Sequence, residues 1–174
     1  LAKELCKIGY RPGIISRGYK SGVNGDCVLV DLDSEVTFVG DEPLLLRRQT
    51  GCPVAVGADR VAAARLLLSK NDINIIISDD GLQHYRLSRD VEVVLFHGQE
   101  FVKNNLLLPA GPYREPISRL QQADFILSRD AAIPNSYSVS CSLGDVKRLS
   151  DGQSFEFGWL QDKNIHAVCA IGSP

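Results

Sequence analysis

The 174 residues contain no methionine, no C-x-x-C pair and no phosphate-binding G-x-x-x-x-G-K-[ST] loop. Each absence narrows the reading. No stretch approaches the roughly 18 to 20 apolar residues of a membrane span, and no signal peptide is visible, so no helical crossing of a bilayer is encoded here. The formal net charge of −2 lacks the basic footprint that nucleic-acid binding requires. No nucleic-acid partner is expected. The five cysteines (Cys6, Cys27, Cys52, Cys141 and Cys169) are odd in number and scattered. They suit neither a zinc site nor a redox motif and read as reduced, mostly buried thiols of a cytosolic protein. Without methionine, opening inside an apparent helix (Leu1 to Gly9) and stopping at Ile171-Gly172-Ser173-Pro174 just after an apparent strand, the chain reads as an internal piece of a longer protein.

What is present is the composition of a globular α/β domain, 44% hydrophobic and 23% charged. Leu1, Leu5 and Ile8 stand at helical spacing before Gly9, and Gly13 to Ser16 is a short buried strand. Cys27 to Leu32 and Glu35 to Val39 alternate around Asp33-Ser34, which predicts a hairpin or edge excursion. Leu44 to Arg48 forms a turn or two of helix after Pro43, and Pro53 to Val56 is another strand. Asp59 is placed to cap a helix from Arg60 to about Lys70, with Val61, Ala64, Leu67 and Leu68 on one face. Strands follow at Ile73 to Ser78, Val91 to Phe96 and Asp124 to Leu127, with a short helix over Ile117 to Gln122. Strands alternating with helices imply right-handed crossovers and a mostly parallel sheet. After Pro134 the texture changes to alternating, polar-rich strands (Tyr137 to Ser142, Ser154 to Trp159), a small antiparallel element leading to a second domain. A buried-strand pattern returns over Asn164 to Ala170. The expected division is an α/β core over 1–133, a β-rich linker over 134–163 and the start of a further domain over 164–174.

The densest chemistry follows the strand over Ile73 to Ser78, where Ile75-Ile76-Ile77-Ser78 runs into Asp79-Asp80-Gly81-Leu82-Gln83-His84. In open α/β sheets ligands bind beyond the carboxyl ends of the strands. A buried strand ending in Asp is how phosphotransferases hold the water shell of Mg²⁺. Adjacent aspartates also simply begin turns. The strand before them and His84 after them favour function. Successive side chains on extended backbone point apart, so Asp79 is assigned to metal-bound water and Asp80 to substrate or a neighbouring base.

Gly40-Asp41-Glu42-Pro43 is a second candidate. Proline disfavours helical geometry at the residue before it, which predicts Asp41 and Glu42 fixed in a turn, one of them a general base toward a hydroxyl; the plainer alternative is Asp41 as a helix N-cap. Arg17, in Ser16-Arg17-Gly18-Tyr19, follows a buried strand at the same presumed edge and suits phosphate contact. Arg60, Arg65, Arg86 and Arg89 could extend a phosphate-friendly rim, although singly each reads as a solvated or ion-paired side chain. Leu106-Leu107-Leu108-Pro109-Ala110-Gly111-Pro112-Tyr113-Arg114-Glu115-Pro116 is either a packed loop or an acceptor- or metal-organising one. His97 and His166 sit in apolar runs and read as core-edge residues.

Taken in order, Ser16-Arg17-Gly18-Tyr19, Gly40-Asp41-Glu42-Pro43, Pro53-Val54-Ala55-Val56, Ser78-Asp79-Asp80-Gly81-Leu82-Gln83-His84-Tyr85-Arg86-Leu87 and Leu108-Pro109-Ala110-Gly111-Pro112-Tyr113-Arg114-Glu115 resemble the tetraacyldisaccharide 4'-kinases, the lipid A 4'-kinases of Gram-negative bacteria. The resemblance implies a P-loop kinase that uses ATP and Mg²⁺ to phosphorylate the 4'-hydroxyl of a tetraacyl glucosamine disaccharide 1-phosphate at the cytoplasmic face of the inner membrane. It implies Asp41 as acceptor-hydroxyl base, Asp79 as the Walker B residue, Asp80 and Glu115 as metal or phosphate organisers, and Gln83 and His84 as positioners. Arg17, Glu42, Arg60, Gln83 and Arg114 are the expected substrate or phosphate contacts, and Asp79 and Glu115 the metal ligands. Membrane attachment and the phosphate loop would lie in a segment before Leu1. Its strand is expected centrally in the sheet, so the chain alone should be marginally stable. Where the family pattern continues Ser-Arg-Gly-Tyr with two glycines, Lys20 and Ser21 stand here. The alternative is a non-catalytic nucleotide-binding regulatory module of the same architecture.

Overall fold

The computed structural model describes residues 1–18, 25, 27–97, 106–129, 133–140, 142, 144–164 and 166. Lys20, Ser21, Cys141, Cys169 and most of the strand expected over Asn164 to Ala170 lie outside them. The chain divides into two compact units, Leu1–Val94 and Leu95–Pro174.

The first unit is built on a four-stranded sheet in the order β2-β3-β1-β4, with β1 at Pro12–Ser16, β2 at Val28–Leu29, β3 at Val54–Val56 and β4 at Ile75–Ser78. Strand β1 pairs in parallel with both neighbours, Ile14 opposite Val54 on one side and Ile77 on the other. Only the two-residue β2 runs antiparallel, at the edge. Alternation along the strands sends successive side chains to opposite faces. Ile14, Val54 and Val56 join Ala2, Val39, Leu44 and Cys52 on one face; Ile15 and Ala55 join Ala63, Ala64 and Leu67 on the other. Helix α1 (Ala2–Lys7) and helix α3 (Asp41–Thr50) supply the first layer, and helix α4 (Arg60–Lys70) the second. A sheet covered on both faces explains why β1 and β3 read as unbroken apolar runs.

Helix α4 starts where the sequence places it. The Asp59 carboxylate accepts from the Val61 and Ala62 amides at 2.9 and 3.2 Å, satisfying two donors of the first turn. Its buried face comprises Arg60, Ala63, Ala64 and Leu67, whereas Leu68 is 56% exposed and Val61 half-buried, which corrects the predicted face by a fraction of a turn.

Two other expectations are corrected. Val36–Val39 is a single helical turn, α2, not a strand. The Asp31–Ser34 turn reverses the chain after β2, the Gly40 amide donates to the Val36 carbonyl at 2.8 Å, and burial of Val39 outweighs the β-propensity of three β-branched or aromatic neighbours. Asp41 and Glu42 are the first two residues of α3, with Gly40 as N-cap at φ 92°. Proline fits here because first-turn amides have no intrahelical acceptor, so Pro43 forfeits nothing. The carboxylates are thus held on a helix N-terminus, not in an open turn.

The second unit is entered along β5 (Val93–His97), whose first two residues belong to the first; β5, β6 (Phe125–Arg129) and β7 (Tyr137–Val139) form a three-stranded sheet in that order, β6 and β7 in parallel. Strand β8 (Val146–Lys147) and strand β9 (Ser154–Phe155) form a small antiparallel pair, but the strand expected over Tyr137 to Ser142 takes no part in it: its residues Tyr137–Val139 are β7, paired in parallel with β6. The expected strand over Ser154 to Trp159 is shorter, because Phe157–Leu160 turns into a 3₁₀ helix that stacks Trp159 on Phe155 at 4.4 Å. Ile117–Gln122 is likewise 3₁₀. Of the three described cysteines only Cys52 is buried, and His166 is exposed, so these residues are less interior than their sequence surroundings imply.

Candidate functional site

The carboxyl ends of β1 and β4 lie side by side, and their register builds the site. With Ile15 opposite Ser78, the residues that follow, Ser16 and Asp79, are neighbours. The Ser16 hydroxyl donates to the Asp79 carboxylate at 3.2 Å, and the Asp79 amide donates to the Ile15 carbonyl at 2.9 Å. Asp79 is therefore anchored through both main chain and side chain. Ser16 is 4% exposed, and the sequence reading passed over it in favour of Arg17. A parallel pairing of the two apolar runs was the signal that would have found it.

Beyond Asp79 the chain turns sharply. Asp80 is exposed and has φ 45°, a left-handed conformation that aspartate tolerates better than most residues. Gly81 packs directly on Ser78: a Cβ there would collide with Ser78 Oγ and lie 2.8 Å from its Cβ. Only glycine permits that fold-back. The turn closes with the His84 amide on the Gly81 carbonyl at 3.0 Å, which leaves His84 and Gln83 half-buried.

Arg60 holds this edge from beneath. It is 2% exposed; one terminal nitrogen donates to the Gly57 carbonyl at 2.9 Å and the other to the Asp79 carbonyl at 3.3 Å, while its Nε has no partner. Burial lowers its pKa, opposed by the charges of Asp79 and Asp80. Expected on a phosphate-facing rim, its guanidinium is instead occupied with main-chain carbonyls.

Electrostatics draw the other candidates into the same neighbourhood. Glu42 is exposed, and its pKa is raised above the ordinary carboxylate range first by the charge of Asp79, then by desolvation, then by Asp41 and Asp80. The N-terminus of α3 thus faces the end of β4, and four carboxylates share one region. Burial pushes the His84 pKa down, reinforced by Arg60 and Arg17 and opposed by Asp80 and Asp59. His84 is neutral at physiological pH. Beside these groups opens a cleft of about 390 Å³ lined by Ala58 to Val61 and Gln83 to Leu87, with Arg86 paired to Asp59 across 3.7 Å.

The structure thus gathers Arg17, Asp41, Glu42, Arg60, Asp79, Asp80, Gln83 and His84 in the first unit. Arg114 and Glu115 belong to the second, after a loop in which the Leu108 amide donates to the Tyr113 carbonyl at 2.8 Å and the Gly111 amide to the Leu107 carbonyl at 2.9 Å. Arg114 is exposed and Glu115 half-buried. Among the described residues no three His, Cys, Asp or Glu side chains converge tightly enough to enclose a metal.

A mostly parallel sheet flanked by helices, with carboxylates at its carboxyl edge, has the architecture of a P-loop kinase. The family model for tetraacyldisaccharide-1-P 4'-kinase (LpxK) matches residues 1–174, and the chain belongs to that family. Curated relatives named tetraacyldisaccharide 4'-kinase are 42% identical over 174 residues in Nitrosococcus oceani, 45% over 175 residues in Alkalilimnicola ehrlichii and 40% over 174 residues in Legionella pneumophila. Each alignment covers this whole chain but 52 to 54% of the relative, so the chain spans about half the length of the curated relatives it matches. A crystal structure described as the "apo" form of LpxK from Aquifex aeolicus in complex with ATP matches with a TM-score of 0.73 and 27% identity, covering 93% of this chain and 54% of that one.

Proposed function

We propose that the full-length protein transfers the γ-phosphoryl group of ATP to the 4'-hydroxyl of a tetraacyl glucosamine disaccharide 1-phosphate in lipid A biosynthesis. The observation that carries this reading is the Ser16-anchored Asp79 at the β4 edge, with the α3 carboxylates facing it. Family membership and the ATP complex of a related chain support it.

The donor set fits Mg²⁺. That ion keeps most of its waters and takes one or two protein carboxylates plus substrate phosphates, so an enclosed cluster is not required. The mutual repulsion that raises Glu42 marks negative charge left uncompensated by the protein. Asp79 would hold the ion through its free lone pairs, and Glu115 is proposed as a metal ligand on the family resemblance alone; bound Mg²⁺ would supply charge neutralisation on the transferring phosphoryl group.

The chain's own residues do the rest. Asp41, on the first turn of α3, accepts the acceptor hydroxyl's proton. Its Oδ1 already takes the Glu42 amide at 2.9 Å, which fixes the carboxylate's direction and leaves its other oxygen for the hydroxyl. Asp80 and Glu42 orient the acceptor side. Neutral His84 and Gln83 donate hydrogen bonds without adding charge, and Arg17 and Arg114 contact phosphate oxygens. Arg60 positions Asp79 through its carbonyl. Such catalysis is positioning and electrostatics rather than covalent chemistry.

No described helix is long and apolar enough to cross a membrane. Action at the cytoplasmic face of the inner membrane, through a segment before Leu1, belongs to this proposal, as does the partition into a kinase core over 1–133, a β-rich linker over 134–163 and a further domain from 164. The test is to give the full-length protein γ-labelled ATP, Mg²⁺ and the tetraacyl disaccharide 1-phosphate. Label on the lipid at its 4'-position supports the kinase. Tight nucleotide binding without label transfer to any sugar lipid would favour a regulatory module instead.

A further inference from the structure

Away from the carboxylate edge, Cys6 of α1 and Cys52, in the link between α3 and β3, place their sulfurs 3.9 Å apart, across 46 residues of sequence. Neither has a place in the phosphoryl-transfer site. The pair nevertheless has the ingredients of a redox-linked cross-link. Cys6 is exposed, so an oxidant reaches it, while Cys52 is 5% exposed within the core cluster that also holds Ala2 and Leu44. Helix α1 is tethered by little else: only Ala2 is buried, and Leu1 and Ile8 are 75% and 71% exposed. Ala2 and Cys6, four residues apart, share the face turned to the core.

We propose that Cys6 and Cys52 form a reversible disulfide on exposure to a peroxide-class oxidant, locking α1 to the junction of α3 and β3. The Cys6 thiolate attacks one peroxide oxygen, the O–O bond breaks, and a sulfenic acid forms with release of hydroxide, which a proton converts to water. Cys52 then loses its proton and attacks the Cys6 sulfur. The S–S bond forms as the S–O bond breaks, and a second water leaves. Overall two thiols give up two electrons and two protons, and one peroxide becomes two waters. Bond formation closes the gap between the two sulfurs from 3.9 Å to about 2.05 Å.

The test uses the full-length protein, reduced, treated with hydrogen peroxide, alkylated and digested without reductant. The expected result is a Cys6–Cys52 linked peptide by mass spectrometry, reversed by dithiothreitol and absent in Cys6→Ser, with Cys27 still alkylated. A cross-link closing a loop of this length also restrains the unfolded chain, so the oxidised protein should melt at least about 3 °C above the reduced one, and Cys6→Ser should show no such gain. Sulfinic or sulfonic acid at Cys6 without the linked peptide, or linkage of Cys52 to another cysteine in preference to Cys6, would overturn the proposal.

Discussion

Ser16 and Asp79, 63 residues apart in sequence, meet through a 3.2 Å hydrogen bond that ties the carboxyl end of β1 to that of β4. The hydroxyl orients the carboxylate but adds no charge, so the site keeps its full negative character. Removing the hydroxyl by Ser16→Ala leaves Asp79 free to rotate. A hydrogen bond to a charged group is worth about 1.5–3 kcal/mol, so turnover of the full-length enzyme should fall about tenfold or more while the fold is retained. Steady-state kinetics alongside far-ultraviolet circular dichroism separate the two; unchanged turnover would mean that the bond does not set Asp79's geometry.

Arg60 offers the next test. Its guanidinium spans the Gly57 and Asp79 carbonyls from a buried position. Truncation by Arg60→Ala leaves both acceptors and a cavity behind, and should cost about 2–4 kcal/mol in urea denaturation. Arg60→Lys should recover little of this, because a single ammonium lacks the planar fork that reaches two carbonyls at once. If Arg60→Ala weakens only the affinity for ATP and leaves stability intact, the arginine is a phosphate ligand after all.

Much of this was visible in the sequence, and the failures have physical causes. The apolar runs of β1, β3 and β4 are plain because β1 and β3 are buried throughout and β4 is half-buried along its length, and β1 and β4 end abruptly in polar residues. Asp59 as a cap is equally plain, since it stands directly before an alanine-rich run. What periodicity does not encode is adjacency: nothing local says that β1 lies beside β4, and so Ser16 went unnoticed beneath Arg17. Val36–Val39 misled because four residues are too few to separate a period of two from one helical turn. Arg60 misled because arginine is ordinarily exposed, and its burial is a property of the completed turn around Gly57 and Asp79. The placement of Asp41 and Glu42 hinged on whether Pro43 excludes or starts a helix, and proline does either according to the donors around it.

The carboxylates also predict a pH response. Because the folded state raises Glu42's pKa, it holds more proton than the unfolded chain in the window above the ordinary carboxylate range, and stability declines as pH rises through that window. Glu42→Gln should therefore raise the melting temperature at about pH 8, with the gain fading as pH falls below about 4, where the carboxyl becomes protonated in both states. His84 acts with the opposite sense: its folded pKa is depressed, so stability is complete above the imidazole's ordinary range near 6.5 and is lost as pH falls toward the lowered value. His84→Gln should flatten that acid limb. Melting curves across pH check both, and a Glu42→Gln protein no more stable at pH 8 than at pH 4, relative to wild type, would contradict the shared-charge picture.

Strand β4 stands at the end of the described sheet with its isoleucines only half-buried, while β1 and β3 are buried throughout. An apolar strand in an edge position is a template for further pairing. The 174-residue chain alone should accordingly melt at or below the usual mesophile range of about 45–65 °C, and extension at its N-terminus should raise the midpoint. A sharp cooperative transition of the chain alone well above that range would show that β4 needs no further neighbour.

The account rests most heavily on the carboxylates acting together as the acceptor- and metal-facing side of a lipid kinase site. The most direct measurement is turnover of the full-length protein carrying Asp41→Ala, assayed for 4'-phosphorylation of the tetraacyl disaccharide 1-phosphate at saturating ATP. Loss of a positioned general base predicts a fall in kcat of about 10²–10⁴-fold with little change in stability. Turnover near that of the wild type would contradict the assignment and with it the direction in which this edge faces its substrate.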